Sequence, residues 1–129
     1  MSLNILALDC KLRDKQLAAI SAAHANLQIT SCKSPDARNY IGETDILLAW
    51  GQLHLQELLP LAPRLKWVHA LSAGVDGMLS PELIQSDIIL TNSRGIHGIP
   101  IAEHVLGVML AYQRGLFTAF RQQKEKSWQ

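Results

Sequence analysis

The sequence is poor in the features that mark several classes of protein. It has 2 cysteines in 129 residues, which is too few for a disulfide scaffold or a four-ligand zinc site. No apolar run reaches the roughly 18 to 20 residues that a membrane span needs. The opening residues Met1-Ser2-Leu3-Asn4 carry no basic stretch of the kind that begins a secretory signal. We therefore expect a cytoplasmic protein with no membrane partner.

A dominant charge of one sign is also lacking. The 12 basic and 11 acidic residues leave a net charge of +1, so no strong field attracts nucleic acid. Hydrophobic residues make up 48% and charged residues 18%, proportions that fit a globular domain and argue against disorder. The length is that of one domain. We expect no nucleic-acid partner.

Short apolar runs alternate with helical patterns along the chain. The runs predict strands over residues 3–9, 28–32, 45–50, 66–71 and 88–91. Apolar spacing predicts helices over 11–25, over 53–59 closed by Pro60, and over 100–121 with Pro100 at the first helical position. This alternation predicts an α/β fold: a flavodoxin-like, open, parallel sheet of five strands in the order 2-1-3-4-5 with flanking helices.

Ligands of open parallel sheets bind beyond the carboxyl ends of the strands. That rule nominates the loops 9–10, 50–52, 71–77 and 92–98. The loop 71–77 reads Leu-Ser-Ala-Gly-Val-Asp-Gly, and its small residues allow a ligand to approach the backbone closely. A helical turn beginning near Gly74 would present free N–H groups that suit a carboxylate or a phosphate. The alternative is a tight strand-to-helix turn that binds nothing.

The other loops offer weaker candidates, each with a structural alternative. Trp50 and Gly51 form either a wall of a ligand pocket or a buried aromatic beside a turn glycine. His97, between Gly95 and Gly98, either contacts substrate or is a solvated loop histidine. No group of histidines, cysteines and acids has the spacing of metal ligands, so no metal site is predicted. No G-x-G-x-x-G, phosphate-binding loop or nucleophile elbow occurs.

The predicted helix over 100–121 is apolar on two faces, a pattern typical of a helix with two partners. One stripe comprises Ile101, Val105, Val108, Met109, Tyr112 and Leu116, and the other comprises Leu106, Leu110, Phe117 and Phe120. The sheet supplies one partner. An uncovered second stripe favours association, so we expect a homo-oligomer, either a homodimer or a higher oligomer, formed through this helix.

An ordered set of motifs resembles the D-isomer-specific 2-hydroxyacid dehydrogenase family. It consists of Leu-Lys-Trp-Val-His at 65–69, Leu-Ser-Ala-Gly-Val-Asp at 71–76, Leu-Thr-Asn-Ser-Arg-Gly-Ile-His at 90–97, Ile-Ala-Glu-His-Val-Leu-Gly at 101–107, and Trp128. The resemblance is specific over residues 45–129 and holds only in pattern over residues 1–44. It implies a flavodoxin-like substrate-binding domain over residues 1–98 and an interdomain helical segment over 99–129 that leads to a Rossmann domain.

The resemblance also implies roles for particular residues. The backbone N–H groups of Ala73, Gly74 and Val75 hold the carboxylate of a 2-keto or 2-hydroxy acid. The further substrate-binding residues are Trp50, Gly51 and His97, while Pro100 and Ile101 lie near an NAD or NADP cofactor. Many relatives have threonine where Pro100 stands, which weakens the expectation of a side-chain contact there.

The family's dinucleotide fingerprint and its catalytic arginine, acid and histidine have no counterpart in these 129 residues. We therefore expect a truncated chain with no catalytic residue, no bound cofactor and no dehydrogenase activity of its own. The whole protein is expected to interconvert 2-keto and 2-hydroxy acids by hydride transfer from NAD(P)H. The alternatives are a stand-alone flavodoxin-like module that binds a small carboxylate for regulation, and a scaffold domain without a ligand.

Overall fold

The structure, a computed structural model, describes residues 2–24 and 26–127. The chain divides into two compact units, Met1–Arg94 and Gly95–Gln129. The first unit contains a five-stranded sheet and the second contains two helices. Each unit is described below by itself.

The first unit is built on a sheet whose strands are all parallel. Its strands are β1 (Leu3–Leu8), β2 (Leu27–Cys32), β3 (Ile46–Ala49), β4 (Trp67–Ala70) and β5 (Ile89–Asn92), and their spatial order is β2-β1-β3-β4-β5. The predicted flavodoxin-like α/β fold and its strand order are therefore confirmed.

The helices of this unit are shorter than the apolar spacing predicted. They are α1 (Asp14–Ala23), α2 (Pro81–Ile84) and four 3₁₀ helices at Ser34–Asn39, Ile41–Glu43, Leu55–Glu57 and Leu59–Leu61. The prediction that Pro60 closes a helix over 53–59 was wrong, because Pro60 lies inside the last of these 3₁₀ helices. Its fixed φ suits the start of a helical turn, where the missing N–H has no partner to lose.

The core lies against one face of the sheet. Because side chains alternate between the two faces of a strand, every second residue of the central strands points to that face. The paired residues Leu6, Leu47 and Val68 are all buried. Ala49 and Ala70, two residues further along β3 and β4, are a buried pair as well. The loops and 3₁₀ helices between the strands complete this core with further buried apolar side chains, namely Ala37, Ile41, Leu55, Met78 and Leu83.

A buried carboxylate joins the first strands at their amino ends. Asp45 accepts the backbone N–H of Asn4 at 3.0 Å and pairs with the Arg64 guanidinium at 3.0 Å. The hydrogen bond from Asn4, together with the Arg64 charge, lowers the pKa of Asp45 although burial opposes the shift. This end of the sheet is therefore tied together by structural contacts, and the opposite, carboxyl end carries the loops that ligands use.

The second unit corrects the prediction of one helix over 100–121. It contains two helices, α3 (Gly98–Gln113) and α4 (Leu116–Glu125), which are separated at Arg114 and Gly115. Gly115 has a φ of 63°, a left-handed conformation that ends a helix and that glycine adopts without steric cost. Leu116, Phe117 and Phe120 therefore lie on α4 and do not extend the two stripes of α3.

The start of α3 also differs from the expectation. The helix begins at Gly98, so Pro100 is its third residue and not its first. A proline is tolerated there because the first N–H groups of a helix have no partner within it.

No side chain of α3 or α4 is buried. None of the helices in the described part of the chain is long and apolar enough to cross a membrane.

Candidate functional site

Three loops meet beyond the carboxyl ends of β3, β4 and β5. The first loop begins at Trp50, the second at Leu71 and the third at Ser93. The Leu71 N–H donates to the Ala49 carbonyl at 2.8 Å, and the Ser93 N–H donates to the Ala70 carbonyl at 3.1 Å. These bonds continue the sheet ladder past the strands, so the three loops leave the sheet side by side.

Two glycines allow the first two loops to touch. A Cβ built at Gly51 would lie 1.8 Å from the Gly74 carbonyl oxygen and 2.5 Å from the Ser72 hydroxyl. A Cβ built at Gly77 would lie 2.8 Å from the backbone of Gln52. Since real Cβ atoms do not approach other atoms so closely, only glycine fits at either position. The Gly51 N–H also donates to Ser72 Oγ at 2.9 Å, which fastens the contact.

Three consecutive carbonyl groups of the loop after β4 accept hydrogen bonds. The Ser72 carbonyl accepts the Ser93 N–H at 3.1 Å. The Ala73 carbonyl accepts the side-chain amide of Asn92 at 2.7 Å. The Gly74 carbonyl accepts the Ser72 hydroxyl at 2.8 Å. Three consecutive peptide groups are thus fixed by one hydrogen bond each.

Three consecutive N–H groups of the same loop remain free. Within residues 2–24 and 26–127, no hydrogen bond is formed by the N–H of Ala73, Gly74 or Val75. Consecutive free N–H groups of this kind bind anions. No helix begins near Gly74: a single turn starts at Val75, whose carbonyl accepts the Met78 N–H at 2.8 Å. The individual N–H dipoles, and not a helix macrodipole, therefore supply the positive potential.

One side chain opposes that potential. A carboxylate oxygen of Asp76 lies 3.6 Å from the position that a Cβ would take at Gly74. Its negative charge is exposed to solvent, which screens it without cancelling it. The free N–H groups and the Asp76 carboxylate therefore present partial positive and full negative charge at the same loop.

Trp50 is not the buried aromatic that one alternative proposed, because its side chain is 47% exposed. It forms part of the wall of a cavity of about 390 Å³ that opens between the ends of β1 and β3, next to Leu8, Asp9, Leu53 and His54. The sheet order reverses between these strands, where ligands of such folds commonly bind. The Ser34 hydroxyl, which donates to Asp9, lowers the pKa of that carboxyl.

The remaining predicted site residues belong to the second unit. His97 immediately precedes α3, and Pro100 and Ile101 lie in its first turn. All three side chains are exposed. The structure thus brings Gly51, which follows Trp50, against Gly74 within the first unit. The binding roles of Trp50, Gly51, residues 73–75, His97, Pro100 and Ile101 all stay predictions.

The two thiols show no sign of reactivity. Cys10 and Cys32 line a common cavity of about 210 Å³, and burial raises the pKa of both. Among residues 2–24 and 26–127, no cluster of three or more histidines, cysteines and acids is placed to hold a metal ion.

No protein-family model matches the chain. A solved structure does: a D-isomer specific 2-hydroxyacid dehydrogenase family protein from Aeromonas salmonicida subsp. salmonicida A449 is 34% identical over 100% of this chain, with a TM-score of 0.77. The chain is a relative of the D-isomer-specific 2-hydroxyacid dehydrogenases. The resemblance noted in the sequence is therefore confirmed, although Trp128, one of its motifs, lies outside the described residues.

More distant structures of dehydrogenases share the fold. A D-lactate dehydrogenase from Aquifex aeolicus, complexed with NAD and lactic acid, is 20% identical over 98% of this chain, with a TM-score of 0.76. An NAD-dependent formate dehydrogenase from Staphylococcus aureus, in complex with NAD, is 17% identical over 98%, with a TM-score of 0.68. The chain spans only about two-fifths of each of these proteins, 41%, 38% and 43% in turn.

The residues of this chain do not by themselves fit a dinucleotide. Pro100 and Ile101 offer an apolar surface with no side-chain donor for phosphates. The sequence has no G-x-G-x-x-G to cradle a pyrophosphate.

Sequence reasoning overlooked two residues that shape the site. Ser72 and Asn92 lie in nominated loops, but nothing in the local sequence assigns them a partner. Ser72 bonds to a residue 21 positions away, and Asn92 bonds to one 19 positions away. Only the folded sheet brings these groups together.

Proposed function

We propose that this chain is the substrate-binding part of an NAD(P)-dependent D-2-hydroxyacid dehydrogenase, and that the loop after β4 holds the carboxylate of the substrate. One observation carries the proposal: the N–H groups of Ala73, Gly74 and Val75 are free while the carbonyls beside them are tied back. The relationship to the Aeromonas protein supports it. A 2-keto or 2-hydroxy acid supplies an anion of suitable size.

The chemistry of binding follows from the backbone. N–H groups aimed at a carboxylate form charge-assisted hydrogen bonds, which are shorter and stronger than neutral ones. The small side chains of Ala73 and Gly74 leave room for the anion to reach them. Fixing the carboxylate fixes the 2-carbon beside it, and such positioning lowers the entropic part of a reaction barrier. Trp50 and Gly51 would line the side from which the acid's substituent extends.

The whole protein would interconvert a 2-keto acid and a 2-hydroxy acid by hydride transfer to or from NAD or NADP. Because the 129 residues lack a dinucleotide fingerprint, we expect no NADH-dependent reduction of pyruvate or glyoxylate by the purified chain. A cytoplasmic location, a substrate contact from His97 and a cofactor contact from Pro100 and Ile101 stay predictions.

A homo-oligomer formed through residues 100–121 likewise stays a prediction, now resting on two helices. Large apolar side chains of α3 and α4 are exposed, among them Ile99 at 74% and Phe120 at 67%. Exposed apolar groups of this extent favour association. Sedimentation at micromolar concentration measures the mass, and a value equal to one chain would count against the oligomer.

Pyruvate tests the binding proposal without any cofactor. We expect saturable shifts of the Ala73, Gly74 and Val75 amide signals when pyruvate is added to ¹⁵N-labelled protein. Pyruvamide, which has the same skeleton without the carboxylate, is the matched control and should leave these signals in place. Equal shifts with pyruvamide, or pyruvate shifts confined to other residues, would contradict the proposal.

A further inference from the structure

Each free N–H of the loop shares a peptide group with one of the tied carbonyls. In a trans peptide the C=O and N–H bonds point in opposite directions across a rigid plane. The hydrogen bond that fixes the Ala73 carbonyl therefore fixes the direction of the Gly74 N–H. In the same way, the bond to the Gly74 carbonyl fixes the direction of the Val75 N–H. No cis peptide bond occurs in the described chain to alter this relation.

The two carbonyls are held by side chains and not by the sheet. The Asn92 side-chain amide donates to the Ala73 carbonyl at 2.7 Å. The Ser72 hydroxyl donates to the Gly74 carbonyl at 2.8 Å. By contrast, the Ser72 carbonyl, which sets the Ala73 N–H, is held by the backbone of Ser93 at 3.1 Å. One donor of the loop is thus oriented by the backbone, and two are oriented by side chains.

Both side chains are themselves oriented by a second contact. The Asn92 Oδ1 accepts the Arg94 N–H at 3.4 Å, which turns its amide nitrogen toward Ala73. The Ser72 Oγ accepts the Gly51 N–H at 2.9 Å, which leaves its own proton for Gly74.

We propose that Asn92 and Ser72 are positioning residues of the anion-binding loop, Asn92 for the Gly74 N–H and Ser72 for the Val75 N–H. Neither side chain touches the substrate in this assignment. The inference rests on the proposed carboxylate site and names the residues that make its donors point outward before a ligand arrives. A preorganised donor loses less conformational entropy on binding, so these bonds raise affinity.

The substitution Asn92→Asp removes the hydrogen bond to the Ala73 carbonyl while it keeps the packing of the side chain. Aspartate has nearly the same shape and keeps an oxygen for the Arg94 N–H, but it has no donor for the Ala73 carbonyl. Because the new carboxylate also repels an anion, affinities are compared in about 0.5 M salt, where this repulsion is screened. Asn39→Asp, at an exposed position in the Ser34–Asn39 helix, controls for the added net charge. For Ser72→Ala the control is Ser86→Ala, because Ser86 donates to the Leu83 carbonyl at 2.7 Å in another part of the fold.

The readout is pyruvate binding followed at individual amides. We expect Asn92→Asp to weaken the affinity about tenfold, since a hydrogen bond to an acceptor in a folded protein is worth about that factor. The pyruvate-induced shift of Gly74 should fall most in Asn92→Asp, and that of Val75 should fall most in Ser72→Ala. A general loss of structure would reduce the pyruvate-induced shifts of all amides together. A loss confined to Gly74 or Val75 therefore indicates that the substituted side chain positions that N–H group.

The outcomes keep the two proposals distinct. If pyruvate does not shift the amide signals of Ala73, Gly74 and Val75 in the wild-type protein, the proposal of a carboxylate site is wrong. If wild-type protein binds pyruvate and Asn92→Asp binds it equally well with the same shift pattern, the positioning assignment is overturned. If Ser72→Ala fails to fold, Asn92→Asp decides alone, because a carboxylate at this half-buried position preserves the size of the side chain.

Discussion

The backbone of Gly51 lies against the carbonyl oxygen of Gly74, so closely that a Cβ at residue 51 would stand 1.8 Å from that oxygen. Gly51 follows β3 and Gly74 lies in the loop after β4. The contact therefore sets how near the loop after β3 comes to the loop after β4. The hydrogen bond from the Gly51 N–H to Ser72 Oγ reinforces it.

Gly51→Ala tests that contact. The added methyl must displace the Ser72–Gly74 backbone, so we expect a loss of about 1–3 kcal/mol of unfolding free energy and loss of the pyruvate-induced shifts of Gly74 and Val75. Urea unfolding and amide titration measure the two effects. The control is Gly107→Ala in α3, where a Cβ meets nothing within 4 Å. Unchanged pyruvate binding in Gly51→Ala would show that the close contact does not shape the loop.

Removing the Asp76 charge should strengthen anion binding. Its carboxylate lies beside Gly74 and repels a bound carboxylate through solvent. We expect Asp76→Asn to raise pyruvate affinity about twofold to fivefold at low ionic strength, the size of effect typical of one exposed charge. The gain should shrink in about 0.5 M salt, where screening is stronger. An affinity gain that salt does not reduce would point to a change of loop conformation instead.

Asp45 should make stability depend on acid pH. Its folded-state pKa is lowered, first by the Asn4 N–H and then by Arg64, so its stabilising contribution is fully present above the unfolded pKa of about 3.9. That contribution is lost as pH falls through the lower, folded pKa. We expect Asp45→Asn to cost about 1–3 kcal/mol at pH 7, with the difference from wild type shrinking below about pH 4.

Urea unfolding at several pH values measures this difference. Asp87→Asn is the control, because that acid is exposed and forms no ion pair within the described residues. A stability difference between wild type and Asp45→Asn that stays constant from pH 7 to pH 3 would exclude a contribution from the charge.

Trp50 should influence which acids bind. Its side chain is 47% exposed, so about half of its surface is open to a ligand, and it lines the cavity of about 390 Å³. In Trp50→Ala we expect a several-fold loss of affinity for phenylpyruvate and a smaller loss for glyoxylate, since only the former has a large apolar substituent to cover. Tyr40→Ala, at 45% exposure, is the control. Equal losses of affinity for both acids would show that Trp50 does not contact the substituent of the acid.

Much of the fold of the first unit was predictable because the sequence patterns that indicate its strands are local. Apolar runs such as that of β1 mark strands wherever they lie, and alternation with helical patterns admits few arrangements of parallel strands. The same rule directed attention to the carboxyl edge, and the small residues at 73–75 indicated a backbone site. The break at Gly115 was not predictable in this way, because apolar spacing continues across it and a single left-handed residue leaves no periodic signal.

Periodicity, chain handedness and side-chain size are properties of the sequence, and they predicted the sheet, its strand order and a loop of small residues after β4. How that loop is held depends on the tertiary structure. The bonds from Ser72 and Asn92, and the contact of Gly51 with Gly74, join residues about 20 positions apart on neighbouring strands. Such pairings depend on strand register and loop path, which set distances to a fraction of an ångström and which no local pattern of residues encodes.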